Sequence, residues 1–399
     1  MSMTNIVVLK KNQVFVALTC ALFSLSSVAK EGDTFRPYVS VSMSQDDNLL
    51  RYDSKLSLPD GVESEDTVLQ TKVGVDVNWK LSRQNIIVNA ELNDNKYTNN
   101  SRLDNQGESI KAVWDWQMGS KLDGALGYSH NKTLASFTDN QVVALSGAKR
   151  STNNLFANGS WLLTPDWRVG VSLSNVQTEY DNATSSASNT DVNSTEVSLF
   201  YLGFAGNSVG VKFRQNSTEF PDRVFNNLSA IDNQYHLSSA VMMLNWQFAG
   251  KSMLQGQIGV EALTNKHLGE RDYSDVTARI TYQISPTGKL QFRLSAWSEI
   301  ESSWIFDAAY QRIQAVEISP VWQMSSKNAL LLSYKLENVT YDGDSGATDD
   351  RQSASIFWIN KPLSNLSVKV GYSNNERDSS RLFRDYQSNM FTVQAKLIW

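Results

Sequence analysis

The sequence predicts an all-β chain: a transmembrane antiparallel outer-membrane β-barrel of about 18 strands, with sixteen as the alternative count and both termini periplasmic. Three observations predict it. Apolar and polar residues alternate in one segment after another, down to the last residue of the chain. The linkers between those segments are alternately short and long. Tryptophans recur a few residues before the short linkers.

The first element is a signal peptide over residues 1–29. Lys10 and Lys11 precede the uncharged run VFVALTCALFSL, which leads to Ser27-Val28-Ala29. Basic residues, a short apolar run and small residues before the cut are the pattern of secretion. The run is too short to span a bilayer as a helix. The one cysteine, Cys20, lies inside it, so the mature chain has no disulfide. Residues 30–399 then form a single barrel domain. Removal of Lys10 and Lys11 takes the formal charge from −5 to −7. An acidic chain of this kind is not a nucleic-acid binder.

Period-two alternation marks the strands. In KVGVDVNWKL, Val73, Val75, Val77 and Trp79 oppose Lys72, Gly74, Asp76 and Lys80. In SIKAVWDWQM, Ile110, Ala112, Trp114 and Trp116 oppose Lys111 and Asp115. Short linkers fall near Ser82-Arg83-Gln84, Gly119-Ser120, Pro165-Asp166, Gly206-Asn207, Gly250-Lys251, Pro286-Thr287-Gly288, Ser326-Lys327 and Lys361-Pro362. Long ones fall near 46–65, 98–104, 133–148, 181–190, 220–232, 267–271, 302–308, 342–350 and 376–383. Tight turns at one end and long loops at the other are the layout of an outer-membrane barrel.

Trp79, Trp116, Trp161, Trp246, Trp322 and Trp358 each precede a short turn, and Trp167 follows one. In a closed barrel they form one girdle at the periplasmic interface, where an indole leaves hydrocarbon and keeps a polar partner. Tyr97, Tyr180, Tyr235, Tyr273 and Tyr341 flank the long loops and are expected at the other interface. Pro165, Pro286 and Pro362 fall in short turns, Pro59 and Pro221 in long loops and Pro37 at the start of the first strand; only Pro320 falls inside a strand, which it is expected either to bulge or to show wrongly drawn around 310–324. The C-terminal strand places Phe391, Val393, Leu397 and Trp399 on one face. It must pair with the first strand, because an open edge in lipid costs several kcal/mol per unpaired group.

Alternation also predicts what lines the lumen. Lys72, Asp76, Lys111, Asp115, Arg168, Lys212, Arg214, Arg279, Arg293, Glu317, Lys335 and Lys369 are the candidates. A charge turned into lipid at the midplane costs about 2–4 kcal/mol, so these side chains point inward. They serve either as a lattice of cross-strand pairs or as a polar track for a hydrophilic solute. No catalytic, metal or cofactor site is expected: His130, His236 and His267 lack ligand spacing, and Asp349 and Asp350 read as solvated loop carboxylates or weak divalent-cation contacts.

The most specific string is FRPYVSVSMSQDDNLLRY at 35–52. Its Asp46-Asp47-Asn48-Leu49-Leu50-Arg51 is ordinary turn chemistry by itself, with Asp and Asn capping a strand end and Arg51 pairing with a carboxylate. It also resembles the start of a family of outer-membrane barrel porins encoded with exopolysaccharide biosynthesis genes, the exosortase-associated EpsL type. Leu50 stands where that family has an aromatic. The resemblance implies a Gram-negative outer-membrane channel in exopolysaccharide export. Its implied partners are a polysaccharide cargo and periplasmic export components. The terminal aromatic of Phe391–Trp399 resembles the signal read by the barrel assembly machinery. A diffusion porin and a non-conducting scaffold that binds polymer or synthase components are the alternative readings.

Overall fold

A computed structural model describes residues 34–56, 58, 61–137, 147–226, 232–248, 250–302, 310–342 and 346–399. The expected signal peptide, with Cys20, lies outside the described residues, as do Pro59 and parts of the long loops around 138–146, 227–231, 303–309 and 343–345.

The strands follow in chain order: β1 (Phe35–Asp46), β2 (Asp66–Leu81), β3 (Gln84–Tyr97), β4 (Asn105–Met118), β5 (Leu122–Leu134), β6 (Lys149–Thr164), β7 (Trp167–Tyr180), β8 (Thr190–Leu202) and β9 (Ser208–Glu219). The second half continues as β10 (Gln234–Phe248), β11 (Ser252–Asn265), β12 (Tyr273–Thr287), β13 (Leu290–Ser302), β14 (Tyr310–Gln323), β15 (Asn328–Asp342), β16 (Thr348–Asn360), β17 (Leu366–Ser379) and β18 (Tyr386–Ile398). They form one 18-stranded antiparallel sheet in which each strand pairs with the next and β1 also pairs with β18. The sheet is therefore a closed barrel. In the seam Tyr38 stands opposite Ile398 and Asp46 opposite Met390. The Trp399 N–H donates to the Pro37 carbonyl at 3.0 Å, so pairing runs to the last residue.

Alternation decides which face is outside. Val73, Leu92, Phe213, Met242 and Val316 are each more than half exposed, and share their faces with other apolar residues. Lipid covers that belt. The tryptophans lie on it at the short-turn ends of their strands, with Trp79, Trp161, Trp167, Trp246, Trp322 and Trp358 between 40% and 53% exposed. Polar partners reach this level: Trp358 Nε1 donates to Asn328 at 3.2 Å and Trp114 Nε1 to Gln84 at 2.9 Å. A concavity of about 1140 Å³ also lies on this outer wall, against Met242, Ile258, Ile280, Val316 and Leu336. It is a lipid-side depression and not the lumen.

Inside, aromatic rings lie flat over glycines of the neighbouring strand. A Cβ on Gly74 would meet the Tyr38 ring at 2.5 Å and the Ala90 carbonyl at 2.7 Å. Gly371 is covered in the same way by Phe357. Such pairs fix register where glycine alone would weaken a strand.

Four expectations need correction. Pro320 neither bulges nor breaks its strand. β14 keeps one register with β15 on both sides of it, and the ladder lapses only at Ser319 and Pro320, where a donor is missing. Pro286 is not in the turn. It lies in the last residues of β12, where the register with β13 shifts between Ile284 and Thr287. The tyrosines do not ring the outer interface. By strand parity all five face inward; Tyr341 is 1% exposed, and Tyr97 and Tyr180 pack under loop residues. Finally, Asp349 and Asp350 are not loop residues: β16 begins at Thr348, and the two point to opposite faces.

Candidate functional site

The inner wall carries the polar side chains, and register brings them together. Lys72 lies 2.9 Å from Glu91, whose other oxygen accepts from the Tyr38 hydroxyl at 2.7 Å. Asp76 accepts from Asn89 at 2.7 Å. Arg168 stands 3.8 Å from Asp123, Lys212 3.3 Å from Glu196 and Arg214 3.3 Å from Glu261. Arg279 grips Glu299 with two hydrogen bonds, at 2.7 and 2.5 Å, and its guanidinium lies 4.5 Å over the Trp297 ring. Glu317 accepts from Ser319 and Ser333. Lys335 meets Glu337 at 2.8 Å, and the Lys369 amine sits 3.9 Å over the Phe357 ring. Lys111, Asp115 and Arg293 also fall on the inner side by register with Asn89, Asn85 and Ser319, and have no ion-pair partner among the described residues. Most of these pairs are partly exposed and hold adjacent strands together, each worth about 0.2–1 kcal/mol.

The string Asp46–Arg51 sits at the long-loop end of the seam. Asp46 accepts from the Asn48 amide and from the Ser388 hydroxyl of β18, and its other oxygen is 2.8 Å from Arg51. Asp47 accepts from the backbone and side-chain nitrogens of Asn389, both at 2.7 Å. The Asn48 side-chain amide donates to the carbonyls of Tyr52 and Gln387. Arg51 takes a left-handed backbone with φ 55°. Leu50 is fully buried with Val62 and Leu103, so the loop that follows is pinned to the 98–104 loop. Asp66 completes that junction by accepting from the amides of Thr98, Asn99 and Asn100. The string is thus a clasp across the barrel seam as well as a turn.

Next to the clasp, the inner wall of β15–β18 gathers arginines. Arg351 and Arg377 stand directly opposite each other on β16 and β17. Like charges so placed repel. Asp349, fully buried, sits between them, 3.0 Å from Arg351 and 2.5 Å from Arg377. Tyr341 and Ser379 also donate to it, at 2.7 and 2.6 Å. Glu337 adds a contact of 3.1 Å to Arg351. The loop between β17 and β18 contributes Arg381, whose guanidinium lies 5.5 Å over the Tyr341 ring, and Arg384. Burial, then repulsion from Arg377 and Arg381, pull the Arg384 guanidinium below its usual range.

Sequence reading missed this cluster because it placed 342–350 in a loop. Extending the alternation of RQSASIFWIN back by two residues would have turned Asp349 inward beside Arg351. It also missed Trp297, among the described residues the one tryptophan on an inner face, which only the parity of QFRLSAWSE could assign.

The geometry is a closed barrel with an apolar belt outside and paired charges within. No family model matches the chain, and no curated protein is similar to it in sequence. Solved structures share its fold. OccK2 (OpdF) of Pseudomonas aeruginosa superposes with a TM-score of 0.51 at 8% identity, over 91% of this chain and 98% of that one. OccK9 (OpdG) of the same organism gives 0.50 at 9% identity, over 94% and 100%. The outer membrane protein OpdK of that organism gives 0.49 at 10%, over 92% and 99%. The chain has the fold of an outer-membrane channel. At these identities the likeness extends to the fold alone. The closed sheet and its lipid-facing belt place the protein in the outer membrane, with the short turns and both termini on the periplasmic side.

Proposed function

We propose that this protein is an outer-membrane channel through which an exopolysaccharide leaves the cell. The observation that carries the channel reading is the inner wall. An 18-strand barrel is wide enough for water, and this one lines its interior with ion pairs, amides and hydroxyls. Lys111, Asp115 and Arg293, without ion-pair partners among the described residues, are the side chains best placed to meet a hydrophilic solute. Polysaccharide as the solute is supported by the likeness of Asp46–Arg51 to the exopolysaccharide-associated porins. Periplasmic export components would hand the chain to the short-turn end.

Deleting the gene tests the reading. Polymer should disappear from the cell surface and return when the wild-type gene is supplied. Unchanged surface polymer, together with a measurable pore, would make the protein a diffusion porin. That second reading is favoured by the balance of both signs of charge along the wall, which suits solutes of no one kind.

A further inference from the structure

We propose that the extracellular ends of β13 and β14 form a gate: they are folded into the lumen, latched there by Arg312 and Tyr310, and they open the mouth by moving out into the wall beside β12. The proposal rests on the channel reading above and adds how the mouth is controlled. It begins with a ladder that stops early. β12 pairs with β11 as far as Tyr273, which stands opposite Leu263, and β13 pairs with β14 as far as Ser302, opposite Tyr310. Between β12 and β13, however, the last rung toward the long loops joins Ala278 to Ser298. Residues 273–277 of β12 and 299–302 of β13 remain strand, and they do not pair with each other.

Side-chain contacts show where the strand ends lie. By period two, Tyr310 and Arg312 share the face of β14 that carries Val316, the lipid face, while Tyr273 and Asp275 share the face of β12 that carries Arg279, the lumen face. Yet the Tyr310 and Tyr273 rings stack, with centroids 3.4 Å apart and planes at 19°, and Arg312 is ion-paired with Asp275. The outer face of β14 can meet the inner face of β12, two strands away, only where β13 and β14 pass inside β12. Exposure agrees with this overlap. Ile300, on the lipid face of β13, is buried, and so is Thr277 on the lumen face of β12. The outer wall is also sunken at the same strands, in the depression against Ala296, Ser298, Gln314, Val316 and Leu336.

The same residues fit the wall as well. Continuing the register of Ala278 and Ser298 sets Val276 opposite Ile300, two apolar side chains turned to lipid, and no proline interrupts either strand end. It also sets Asp275 opposite Glu301, both toward the lumen, and like charges so placed repel. In the folded-in position Asp275 has Arg312 instead, and Glu301 accepts from Gln311 at 3.1 Å. One arrangement is held by backbone rungs and the other by a side-chain latch, which makes the strand ends a two-state element. The charges favour the inward state at rest.

Cysteine locking and single-channel recording of the purified full-length protein test the gate. The chain's one cysteine, Cys20, lies in the expected signal peptide, so an introduced pair reacts with itself. Val276→Cys with Ile300→Cys brings two thiols together only when the strand ends lie in the wall, because in the folded-in position β12 stands between them. Oxidising the folded barrel in detergent should form that disulfide. The locked form should conduct about twofold or more better than the reduced one, since conductance follows the open width of the lumen. Asp275→Asn with Arg312→Gln removes both the latch and the repulsion from Glu301. Without cysteines it should raise conductance in the same direction, and combined with the pair it should speed the disulfide. No disulfide in a heat-modifiable barrel, with or without the latch, would overturn the proposal. So would a disulfide that leaves conductance unchanged, or a latch-free barrel that conducts like the wild type. Disulfide formation needs no current, so a barrel that passes none in any form would sink the channel reading. A conducting barrel with no disulfide would sink only the gate.

Discussion

Asp349 and Asp350 are adjacent and chemically identical, and the fold separates them completely. Asp349 faces inward with no exposure and receives Tyr341, Arg351, Arg377 and Ser379. Asp350 faces outward, is exposed, and accepts one hydrogen bond from Asn338 at 2.7 Å. Changing Asp349→Asn leaves a neutral acceptor for Tyr341 or Ser379 but strips the bridge from two opposed arginines. Breaking a buried ion pair costs about 3–5 kcal/mol. The Arg351 side chain is 24% exposed, so solvent screens its share. The retained amide recovers roughly one neutral hydrogen bond, about 1 kcal/mol. The expected loss is therefore about 2–3 kcal/mol. Asp350→Asn should change stability by no more than about 0.5 kcal/mol. Urea unfolding in detergent, followed by tryptophan fluorescence, reads both. Asp349→Asn should move the midpoint clearly downward, and Asp350→Asn should leave it in place. Indistinguishable midpoints would mean that the network around Asp349 does not hold the mouth together.

Four further outcomes are expected. Lys111→Gln with Arg293→Gln should shift ion selectivity in planar bilayers away from anions more than Lys212→Gln with Arg214→Gln, since the latter pair is partly neutralised by Glu196 and Glu261; the reverse order would contradict the assignment of free and paired charges. Deleting Trp399, or changing Trp399→Asp, should stop outer-membrane assembly while export to the periplasm continues, and normal heat-modifiable barrel in the mutant would count against the terminal signal. Asp46→Ala should lower the temperature at which the barrel unfolds on gels, because it releases both Arg51 and Ser388 at the seam; no change would deny the clasp. Burial pushes the Asp232 carboxyl up, but the His267 side chain and the amides of His267, Leu268 and Asn233 hold it below its usual range. Its contribution is therefore full above about pH 4 and is lost as pH falls through the lower folded value. Proteolysis of the 220–233 and 266–272 loops should rise over that acid interval, and Asp232→Asn should abolish the dependence.

The barrel itself was legible because period two is unambiguous in strands such as KVGVDVNWKL, and because a charge in lipid is expensive enough to settle the parity of mid-strand positions. The twelve lumen candidates follow from that one cost. Strand ends were less legible. At the mouth both faces are wet, so residue type alone does not separate Asp349 from Asp350; only the alternation carried outward from the middle of β16 and β15 turns Asp349 and Tyr341 inward. Pro320 misled for a related reason. Sequence shows that a donor is missing, but not that a barrel strand with two neighbours can lose one ladder rung and hold register through the other. The Asp46–Arg51 string was visible, but its partners Ser388, Asn389 and Gln387 lie more than 330 residues away and become neighbours only when the sheet closes.

Single-channel recording tests the central claim most directly. Purified protein, shown by gel mobility to shift only on boiling, is added to a planar bilayer. The account predicts discrete, ohmic conductance steps whose ion selectivity moves toward cations when Lys111 and Arg293 are changed to Gln. A correctly folded barrel that passes no current, even after deletion of residues 48–62, would contradict it.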